Sequence, residues 1–507
     1  MYLDRHSLTL PIVNATLSLN HRRAFSPNAL LFVVCLAQFM VILDVSIVNV
    51  ALPSMGSGLH FSTSGLQWVL NAYTITFAGF LLLGGRCADL LGRRRVFLTG
   101  TALFALCSLV CALARSRGLL IGARALQGFG GAVLSPATLS IITSSLREGP
   151  ERNRGLAAWG AVGALGASSG ALLGGLLTQA FGWPAIFAVN VPLGIFVILA
   201  GMAALPADVR NDAPRHFDVA GALLVTAGLV AISYGIVRTD TLGWGSPAAI
   251  GPLAAGVALI GAFLLVEARF ARAPLVPLSF FRIGHLRAAN GIVVLLYASM
   301  FPQWFFLTLY LQRVLHYGPI AAGLAFLPMT LSIFAGSTLA PRVVARFGPA
   351  RVITAGMLSA TLGGALLTGI APGGSYAGSV LAGAVLSAAG MGFTLVPATI
   401  VAMQGVPGNQ SGLASGLLNT SRLMGGALGL AILSTIATAQ TDGALHTMTL
   451  HAALTHGFDV ALGVGATFCL LGAAIAAVAL RGPRPPRVAA VEAPDQIEAG
   501  QAELLAA

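Results

Sequence analysis

The chain has 507 residues, of which 56% are hydrophobic and 9% are charged, and its mean hydropathy is +0.86. About a quarter of the residues in a soluble domain are charged, so this composition excludes a water-soluble protein and indicates a membrane protein. The net charge is +12, and all 28 basic residues are arginines. The arginines are spread over the connections between apolar runs, so they indicate how the chain is oriented in the membrane. We therefore expect no nucleic acid partner despite the positive net charge.

Apolar runs of about 20 residues recur along the chain, the length that a helix needs to cross a hydrocarbon core. These runs are too long and too continuous for the alternating strands of a barrel, so we predict an all-α polytopic membrane protein with fourteen transmembrane helices. The predicted spans are residues 29–51, 64–84, 95–114, 118–146, 156–178, 185–205, 218–237, 248–268, 288–312, 319–341, 351–371, 376–403, 411–438 and 457–480.

The arginines also predict how the chain is oriented. If the N-terminus is cytoplasmic, 22 of the 28 arginines fall in cytoplasmic segments and four fall outside, as the positive-inside rule requires. We therefore expect a multi-pass protein of the cell membrane with both termini in the cytoplasm. The composition rich in arginine, alanine and glycine is typical of a bacterium with GC-rich DNA.

The sequence contains an internal repeat. The segments "RCADLLGRRRVFLTG" (86–100) and "RVVARFGPARVITAG" (342–356) share five residues at a constant offset of 256, among them Gly92 and Gly348. Each follows the second span of a six-span block, so the chain is predicted to be duplicated, as secondary transporters commonly are. The predicted regions are a cytoplasmic tail (1–28), a first six-helix half (29–205), an inserted helix pair with its linker (206–268), a second six-helix half (269–480) and a disordered cytoplasmic tail (481–507).

Four motifs resemble those of the major facilitator superfamily, and the resemblance covers nearly the whole chain. "GGRCADLLGRRRVF" resembles the motif A loop, "RALQGFGGAVLSPA" the motif B helix, and "LDVSIVNVALP" the first helix of the fourteen-helix drug:proton antiporters. "GASSGALLGG" resembles the antiporter motif of the fifth helix, with Ala171 in place of its usual proline. The resemblance implies the major facilitator fold, and it implies that Asp89 helps to lock the outward-facing state. The residues that match these two functional motifs are Gly85, Asp89, Gly92, Arg93 and Arg94 in motif A, and Gly166, Gly170, Gly174 and Gly175 in the fifth helix.

One acid, Asp44, lies deep within a predicted span. Placing a charge there costs about 2.5–3.5 kcal/mol on insertion scales, so such residues usually face a partner or a cavity. Arg124 is the expected partner, because both residues lie roughly 9–10 Å from the outer ends of their helices at 1.5 Å per residue. Burial disfavours a charged carboxylate and a cation favours it, so the pair is a candidate proton-coupling site. A purely structural ion pair is the alternative.

Several polar residues within the spans are candidates for a substrate cavity, although each is equally compatible with a hydrogen bond between helices. Arg422 is equally compatible with a side chain that extends toward the cytoplasmic interface. These candidates are Gln38, Asn49, Trp68, Asn71, Tyr73, Gln127 and Arg422.

The sequence predicts neither a metal site nor a cofactor. The five cysteines lie in or beside apolar runs without nearby histidines, which is typical of buried small side chains. A phosphate-binding loop of the G-x-x-x-x-G-K-[ST] type needs a lysine, so we expect no nucleotide.

We expect a transporter rather than an enzyme: a proton-coupled secondary active exporter of small amphipathic or cationic compounds, as in drug or toxin efflux, that works by alternating access. Its expected partners are the substrate, protons and the lipid bilayer. Two alternatives stay open, namely uptake of a polar metabolite by symport and a membrane sensor or scaffold that transports nothing.

Overall fold

The computed structural model of the protein describes residues 26–147, 150–208, 218–243, 245–271, 274–276, 282, 285–404, 406 and 411–480. Within these ranges every regular element is a helix. Several helices begin at a serine whose hydroxyl accepts a hydrogen bond from the first turn, as Ser26, Ser62 and Ser116 do. The α-helices are α1 (Pro27–Gly58), α2 (Thr63–Leu91), α3 (Arg93–Ala112), α4 (Arg117–Ser145), α5 (Pro150–Phe181), α6 (Ala185–Ala188), α7 (Asn190–Ala204), α8 (Val219–Leu242), α9 (Pro247–Leu265), α10 (Leu286–Leu309), α11 (Pro319–Ala325), α12 (Leu327–Phe347), α13 (Pro349–Leu366), α14 (Leu381–Met403), α15 (Ser411–Ala444) and α16 (Leu450–Ala479).

Thirteen helical segments in the described part of the chain are long and apolar enough to cross a membrane. In two of these segments the helix is interrupted, so that α6–α7 and α11–α12 each form one span. Together with α5, which is 32 residues long, the thirteen segments correspond to the fourteen predicted spans. Short π-helical turns extend α9 and α10 and precede α14. The predicted all-helical membrane fold is confirmed.

Some of the observed helices extend beyond the spans that the sequence predicts. Helix α1 continues through Pro53 to Gly58 rather than ending at residue 51, because proline is tolerated inside transmembrane helices that pack against other helices. Helix α16 begins at Leu450 rather than at residue 457, so Asp459 lies inside a helix and not at its end. The predicted tails fall outside the described residues, except for residues 26–28.

The two glycines that the predicted repeat aligns have similar backbone conformations. Gly92 separates α2 from α3 and Gly348 separates α12 from α13, and both have a positive φ, +104° and +83°. These angles are in the region that favours glycine. The two glycines that align in the sequence therefore make the same kind of turn between consecutive helices.

Helices α1–α7, which we call the first block, pack together through α1, α4 and α5. Helices α10–α16, the second block, pack together through α10, α13 and α14. The two blocks meet where α2 packs against α15, α5 against α11, and α1 against α10. Helices α8 and α9 pack against each other, and α8 also contacts both α2 and α15. Helix α8 therefore lies along the contact between the two blocks. The largest buried apolar cluster, which includes Ile47, Ala171, Phe306 and Ala322, joins the blocks.

Candidate functional site

The centre of the first helix block contains a buried ion pair. The Arg124 Nη1 atom of α4 lies 2.6 Å from the Asp44 Oδ2 atom of α1. The exposed fraction is 0% for Asp44 and 1% for Arg124. The structure thus brings together the two residues that the sequence places at the same depth.

Two amide side chains donate to the other carboxylate oxygen. The Gln127 Nε2 atom and the Asn190 Nδ2 atom each lie 2.9 Å from Asp44 Oδ1. Both amides also donate to the Ser108 hydroxyl at 3.0 Å. The carboxylate is therefore fully hydrogen-bonded by α4 and α7, with α3 as a second layer of support.

Asn190 and Ser108 are members of the site that the sequence analysis missed. Each is a lone polar residue in an apolar run, Asn190 in "AIFAVNVPLG" and Ser108 in "ALCSLVCA". A buried polar side chain in a membrane span needs a partner. That isolation was the available signal, but it does not identify the partner.

The Arg124 guanidinium is held by more than the carboxylate. Its Nε atom donates to the Val69 carbonyl of α2 at 3.1 Å, and Nη1 donates to Gln127 Oε1 at 2.7 Å. Its Cζ atom lies 4.3 Å from the centre of the Tyr73 ring and 5.5 Å from that of Phe187. These aromatic faces favour the cation where water is excluded.

The site as a whole is closed. Gln127, Asn190 and Ser108 are fully buried together with the ion pair, so the carboxylate has no contact with solvent in this conformation. A proton that reaches Asp44 would neutralise the carboxylate and remove the attraction that holds Arg124. Such an arrangement can link the protonation of one atom to the packing of α1, α2, α3, α4 and α7.

The glycines of α5 lie against α1 beside this site. A Cβ atom at Gly166 would lie 3.2 Å from Ile42 Cβ, and one at Gly170 would lie 2.5 Å from Ser46 Cβ. A Cβ at Gly174 would lie 2.7 Å from the Ile47 carbonyl oxygen. We call Gly166, Gly170 and Gly174 the glycine face; it permits the backbones of α1 and α5 to approach closely on either side of Asp44.

Gly175, the fourth predicted glycine, faces the second helix block instead. A Cβ atom added at Gly175 would overlap the backbone of Pro319 and Ile320 at the start of α11. A Cβ atom added at Gly323 of α11 would likewise overlap the backbone of Ala171 in α5. Helix α5 therefore contacts α1 with one face and the second block with another.

The motif A loop is stabilised by an acid that the sequence analysis missed. Asp208, which follows α7, accepts hydrogen bonds from the backbone N–H groups of Arg94 (2.8 Å) and Arg95 (3.0 Å) at the start of α3. An anion at this position satisfies the free N–H groups and the positive end of the helix. A Cβ at Gly92 would lie 2.5 Å from the Asp208 carboxylate, so the close approach also requires this glycine.

The other motif A residues lie around the same turn. Arg93 Nε donates to the Ser140 hydroxyl of α4 at 2.7 Å, and the Arg94 guanidinium donates to the Met202 carbonyl at 2.5 Å. Gly85 lies in α2, where a Cβ would be 3.5 Å from Pro136. The Asp89 side chain lies outside the described part of the structure, so its predicted role stays a prediction.

Three of the cavity candidates pack between helices in this conformation. Gln38 accepts hydrogen bonds from Ser135 and Thr138 of α4. Trp68 contacts the ring of Tyr234 in helix α8. Arg422 of α15 donates to the Tyr297 hydroxyl of α10 at 2.6 Å and stacks on its ring. Gln127 and Tyr73 belong to the Asp44 site described above.

The remaining two candidates, Asn49 and Asn71, keep polar atoms without partners. Asn71 of α2 is fully buried, and neither its Oδ1 nor its Nδ2 atom has a hydrogen-bond partner. Asn49 Nδ2 donates to the Val45 carbonyl within α1, but its Oδ1 is unpartnered. Gln67 Nε2 and Gln303 Nε2 are unpartnered in the same way. These four amides lie on α1, α2 and α10, helices that form the contact between the blocks.

No group of three or more histidine, cysteine or acidic residues with metal-binding geometry occurs among the described residues.

The fold and the site together define a class: an all-helical membrane transporter with a buried ion pair between two of its helices, α1 and α4. Comparison with known proteins identifies the family. Residues 34–430 match the model of the Major Facilitator Superfamily, and the chain belongs to this family. It is therefore a multi-pass membrane transporter of small molecules and not an enzyme.

Its relatives include antibiotic export and resistance proteins. The cephamycin export protein CmcT of Amycolatopsis lactamdurans is 40% identical over 415 residues, which are 82% of this chain and 85% of that protein. The puromycin resistance protein pur8 of Streptomyces alboniger is 39% identical over 456 residues, or 88% of this chain and 90% of that protein.

A solved structure shows the same fold. A bacterial homolog of the human lysosomal transporter Spinster, in an inward-facing and unoccupied conformation, has a TM-score of 0.65 and 16% sequence identity, and the match covers 90% of this chain and 97% of that one. At this identity the likeness concerns the fold alone.

Proposed function

We propose that the protein is a proton-driven exporter of small antibiotic-like compounds in a bacterial cell membrane, with both termini in the cytoplasm. The observation that carries the proposal is the fully buried Asp44 carboxylate and its ion pair with Arg124. A buried acid in a transmembrane helix is expensive to maintain, and proton relays are one of the functions that such residues serve.

Coupling between proton and substrate follows from contacts that lead away from Asp44. Proton binding weakens the hold of α1 on Arg124, and α1 packs on the glycine face of α5 through Ile42, Ser46 and Ile47, which lie two or three residues from Asp44. Helix α5 in turn packs on α11 of the second block through Gly175 and Gly323. We infer that residues 29–205 and 269–480 move as two halves, and that α5 transmits the protonation state of Asp44 to the contact between them.

The substrate contacts are assigned to the unpartnered amides of Asn49, Gln67, Asn71 and Gln303. A buried polar atom without a partner costs about 1–3 kcal/mol, so a ligand that supplies partners binds favourably here. The two relatives named above handle cephamycin and puromycin according to their names, and both names denote small antibiotics. We therefore place the substrate at the contact between the halves, held by amide hydrogen bonds.

The available driving force is sufficient for export. One elementary charge that crosses 100 mV provides about 2.3 kcal/mol, and a membrane potential of roughly 150 mV provides about 3.5 kcal/mol per proton. At about 1.4 kcal/mol for each tenfold step, this supports a substrate gradient of a few hundredfold.

Everted membrane vesicles with an interior acid gradient test the proposal. Added puromycin should dissipate the gradient in vesicles that contain the wild-type protein and not in vesicles that contain Asp44→Asn. Asp442→Asn is the matched control, because Asp442 also lies inside a helix, α15, but is exposed and is not part of the ion pair; it should behave as wild type. A symporter would respond only to substrate preloaded inside the vesicles, and a sensor or scaffold would not respond; either result contradicts export.

A further inference from the structure

Arg422 of α15 is a cation inside a membrane-spanning helix, and no acidic side chain pairs with it among the described residues. Its Nη2 atom donates to the Tyr297 hydroxyl of α10 at 2.6 Å, and its Cζ atom lies 4.9 Å from the centre of the Tyr297 ring. Its Nε atom is buried and has no hydrogen-bond partner. Because the hydroxyl and the ring are neutral, these contacts leave the positive charge of Arg422 uncompensated.

The contact with Tyr297 holds this charge near the middle of the membrane-spanning helices. Tyr297 lies eleven residues after Leu286, the first residue of α10, and Arg422 lies eleven residues after Ser411, the first residue of α15. At 1.5 Å per residue both positions are about 17 Å from those helix ends. An arginine that extends toward the membrane interface does so from near a helix end, so this one serves the interior of the protein.

Arg422 lies on the side of α15 that meets the first block. Leu433 is three helical turns further along on the same face, and it belongs with Ile47 of α1 to the buried apolar cluster that joins the blocks. Met424, about 200° away around the helix, packs instead with Val225 of α8. The half-buried Arg422 side chain therefore faces the contact between the blocks, where secondary transporters bind their substrates.

Two contacts determine the register of α15 against α2. A Cβ atom at Gly416 would lie 2.6 Å from Leu82 Cδ2, and the Ser434 hydroxyl donates to Gln67 Oε1 at 2.6 Å. The residue numbers rise along α15 as they fall along α2, so the two helices are antiparallel. Arg422, six residues after Gly416, is therefore level with the turn of α2 that lies about six residues before Leu82.

This register separates Arg422 from the acid of motif A. Asp89 lies seven residues after Leu82 in α2, on the side away from Arg422, so the two positions are about 20 Å apart along the helices at 1.5 Å per residue. Asp44 already pairs with Arg124. Neither acid compensates the charge of Arg422.

We propose that Arg422 binds a carboxylate of the transported compound, so that the substrates are small molecules that carry an anionic group. A planar guanidinium binds a carboxylate through two parallel N–H bonds, and the Nε donor is unused. The Tyr297 hydroxyl accepts from Nη2 and so keeps its own proton for an oxygen of the ligand. That the bound anion is a transported compound rests on the function proposed above, whereas the anion site itself does not.

The same register brings another proposed substrate contact within reach. Asn71, whose amide has no partner, lies four residues after Gln67 and therefore on the face of α2 that meets α15. It is level with the part of α15 roughly six residues beyond Arg422, about 9 Å along the helices. A small molecule of that length binds Arg422 with its carboxylate and Asn71 with a neutral polar group.

Titration calorimetry of the purified full-length protein tests the anion site directly. The probe is cefoxitin, a small β-lactam whose only ionised group is a carboxylate, and the comparison ligand is its neutral methyl ester. Arg422→Gln should bind cefoxitin about tenfold more weakly than wild type, because hydrogen bonds to a charged group are lost, and it should bind the ester as wild type does. Arg422→Lys keeps the charge without the planar pair of donors, so its loss should be smaller.

Arg238→Gln is the matched control. Arg238 of α8 also donates to a tyrosine hydroxyl, that of Tyr234 at 2.8 Å, and lies over its ring at 5.1 Å, but both of these residues are exposed. This variant should bind cefoxitin as wild type does.

Two results of the titrations would overturn the proposal. One is a wild-type protein that does not bind cefoxitin. The other is an equal loss of affinity for cefoxitin and for the ester in Arg422→Gln, the pattern of an arginine that only supports packing. If Arg422→Gln does not fold, the same comparison of the two ligands is made with Arg422→Lys.

A lipid phosphate is also an anion, and the membrane composition separates it from a substrate carboxylate. In nanodiscs of phosphatidylcholine and of phosphatidylglycerol, the ratio of the cefoxitin affinities of wild type and Arg422→Gln should be the same. If phosphatidylglycerol abolishes the difference between the two proteins, the arginine binds a lipid phosphate and the substrate assignment is wrong.

Everted vesicles distinguish failure of this proposal from failure of proton-driven export. Cefoxitin should dissipate the gradient in wild-type vesicles, and Arg422→Gln vesicles should need an about tenfold higher concentration. Puromycin, which has no carboxylate, should act equally on both. If puromycin acts on wild type and cefoxitin does not, export stands and the anion proposal fails. If cefoxitin binds through Arg422 but neither compound dissipates the gradient, the anion site stands and proton-driven export fails.

Discussion

Gly170 of α5 lies directly against Ser46 of α1, two residues after the buried carboxylate of Asp44. A Cβ atom at Gly170 would be 2.5 Å from the Cβ of Ser46, a distance that requires the helices to separate. The glycine therefore sets the distance between α1 and α5 at the level of the ion pair, and the position of Asp44 depends on it.

Gly170→Ala adds only one methyl group, but we expect it to impair transport strongly. The added methyl group displaces α1 from α5 and misaligns Asp44 with Arg124, and overpacking of this kind costs about 1–3 kcal/mol. We expect a lower unfolding temperature and a loss of puromycin export in everted vesicles.

Gly122→Ala is the control for this substitution. Gly122 lies in α4, two residues before Arg124, and a Cβ there has no atom within 4 Å. The same change should leave export intact and stabilise the helix by about 0.5–1 kcal/mol. Equal losses in the two variants would show that the contact with Ser46 is not the cause.

The ion pair itself predicts non-additive effects on stability. Removal of one partner from a buried pair costs about 3–5 kcal/mol because an uncompensated charge remains. Asp44→Asn and Arg124→Gln should therefore each lower the unfolding temperature. The double variant should lose less stability than the two single variants lose together.

Transport should not recover with stability in the double variant. It contains no carboxylate at position 44 to bind a proton, so uphill export should remain absent although the protein is folded. Recovery of uphill export in the double variant would assign the pair a structural role only.

The helix pattern and the ion pair were accessible from the sequence, for definite physical reasons. Lipid excludes every regular structure except helices and closed barrels, so the apolar runs determine the class of fold. Asp44 and Arg124 are charges inside apolar runs at the same depth, and the cost of burial requires that they meet.

The remainder of the site was not accessible, because its members are recognised only by their partners. Asn190 and Ser108 are neutral, and nothing in their own segments indicates that they converge on Asp44. Asp208 follows α7 but caps α3, more than a hundred residues earlier.

The cap at the start of α3 is a third testable contact. Asp208→Ala removes the acceptor for the N–H groups of Arg94 and Arg95, and loss of a helix cap costs about 1 kcal/mol. We expect a modest decrease in the unfolding temperature. Asp208→Asn retains one acceptor oxygen and should fall between alanine and wild type; a loss as large as that of alanine would contradict a capping role.

The unpartnered amide of Asn71 predicts opposite effects on stability and on substrate binding. Asn71→Leu removes two buried polar atoms that have no partners, so the substrate-free protein should be as stable as wild type or more stable. If the amide binds substrate, the concentration of puromycin for half-maximal export should rise about fivefold, which corresponds to about 1 kcal/mol. Gln38→Leu is the matched control, because Gln38 accepts hydrogen bonds from Ser135 and Thr138. It should lose stability without a change in the half-maximal concentration. If Asn71→Leu loses stability and keeps that concentration unchanged, Asn71 serves packing and the substrate binds elsewhere.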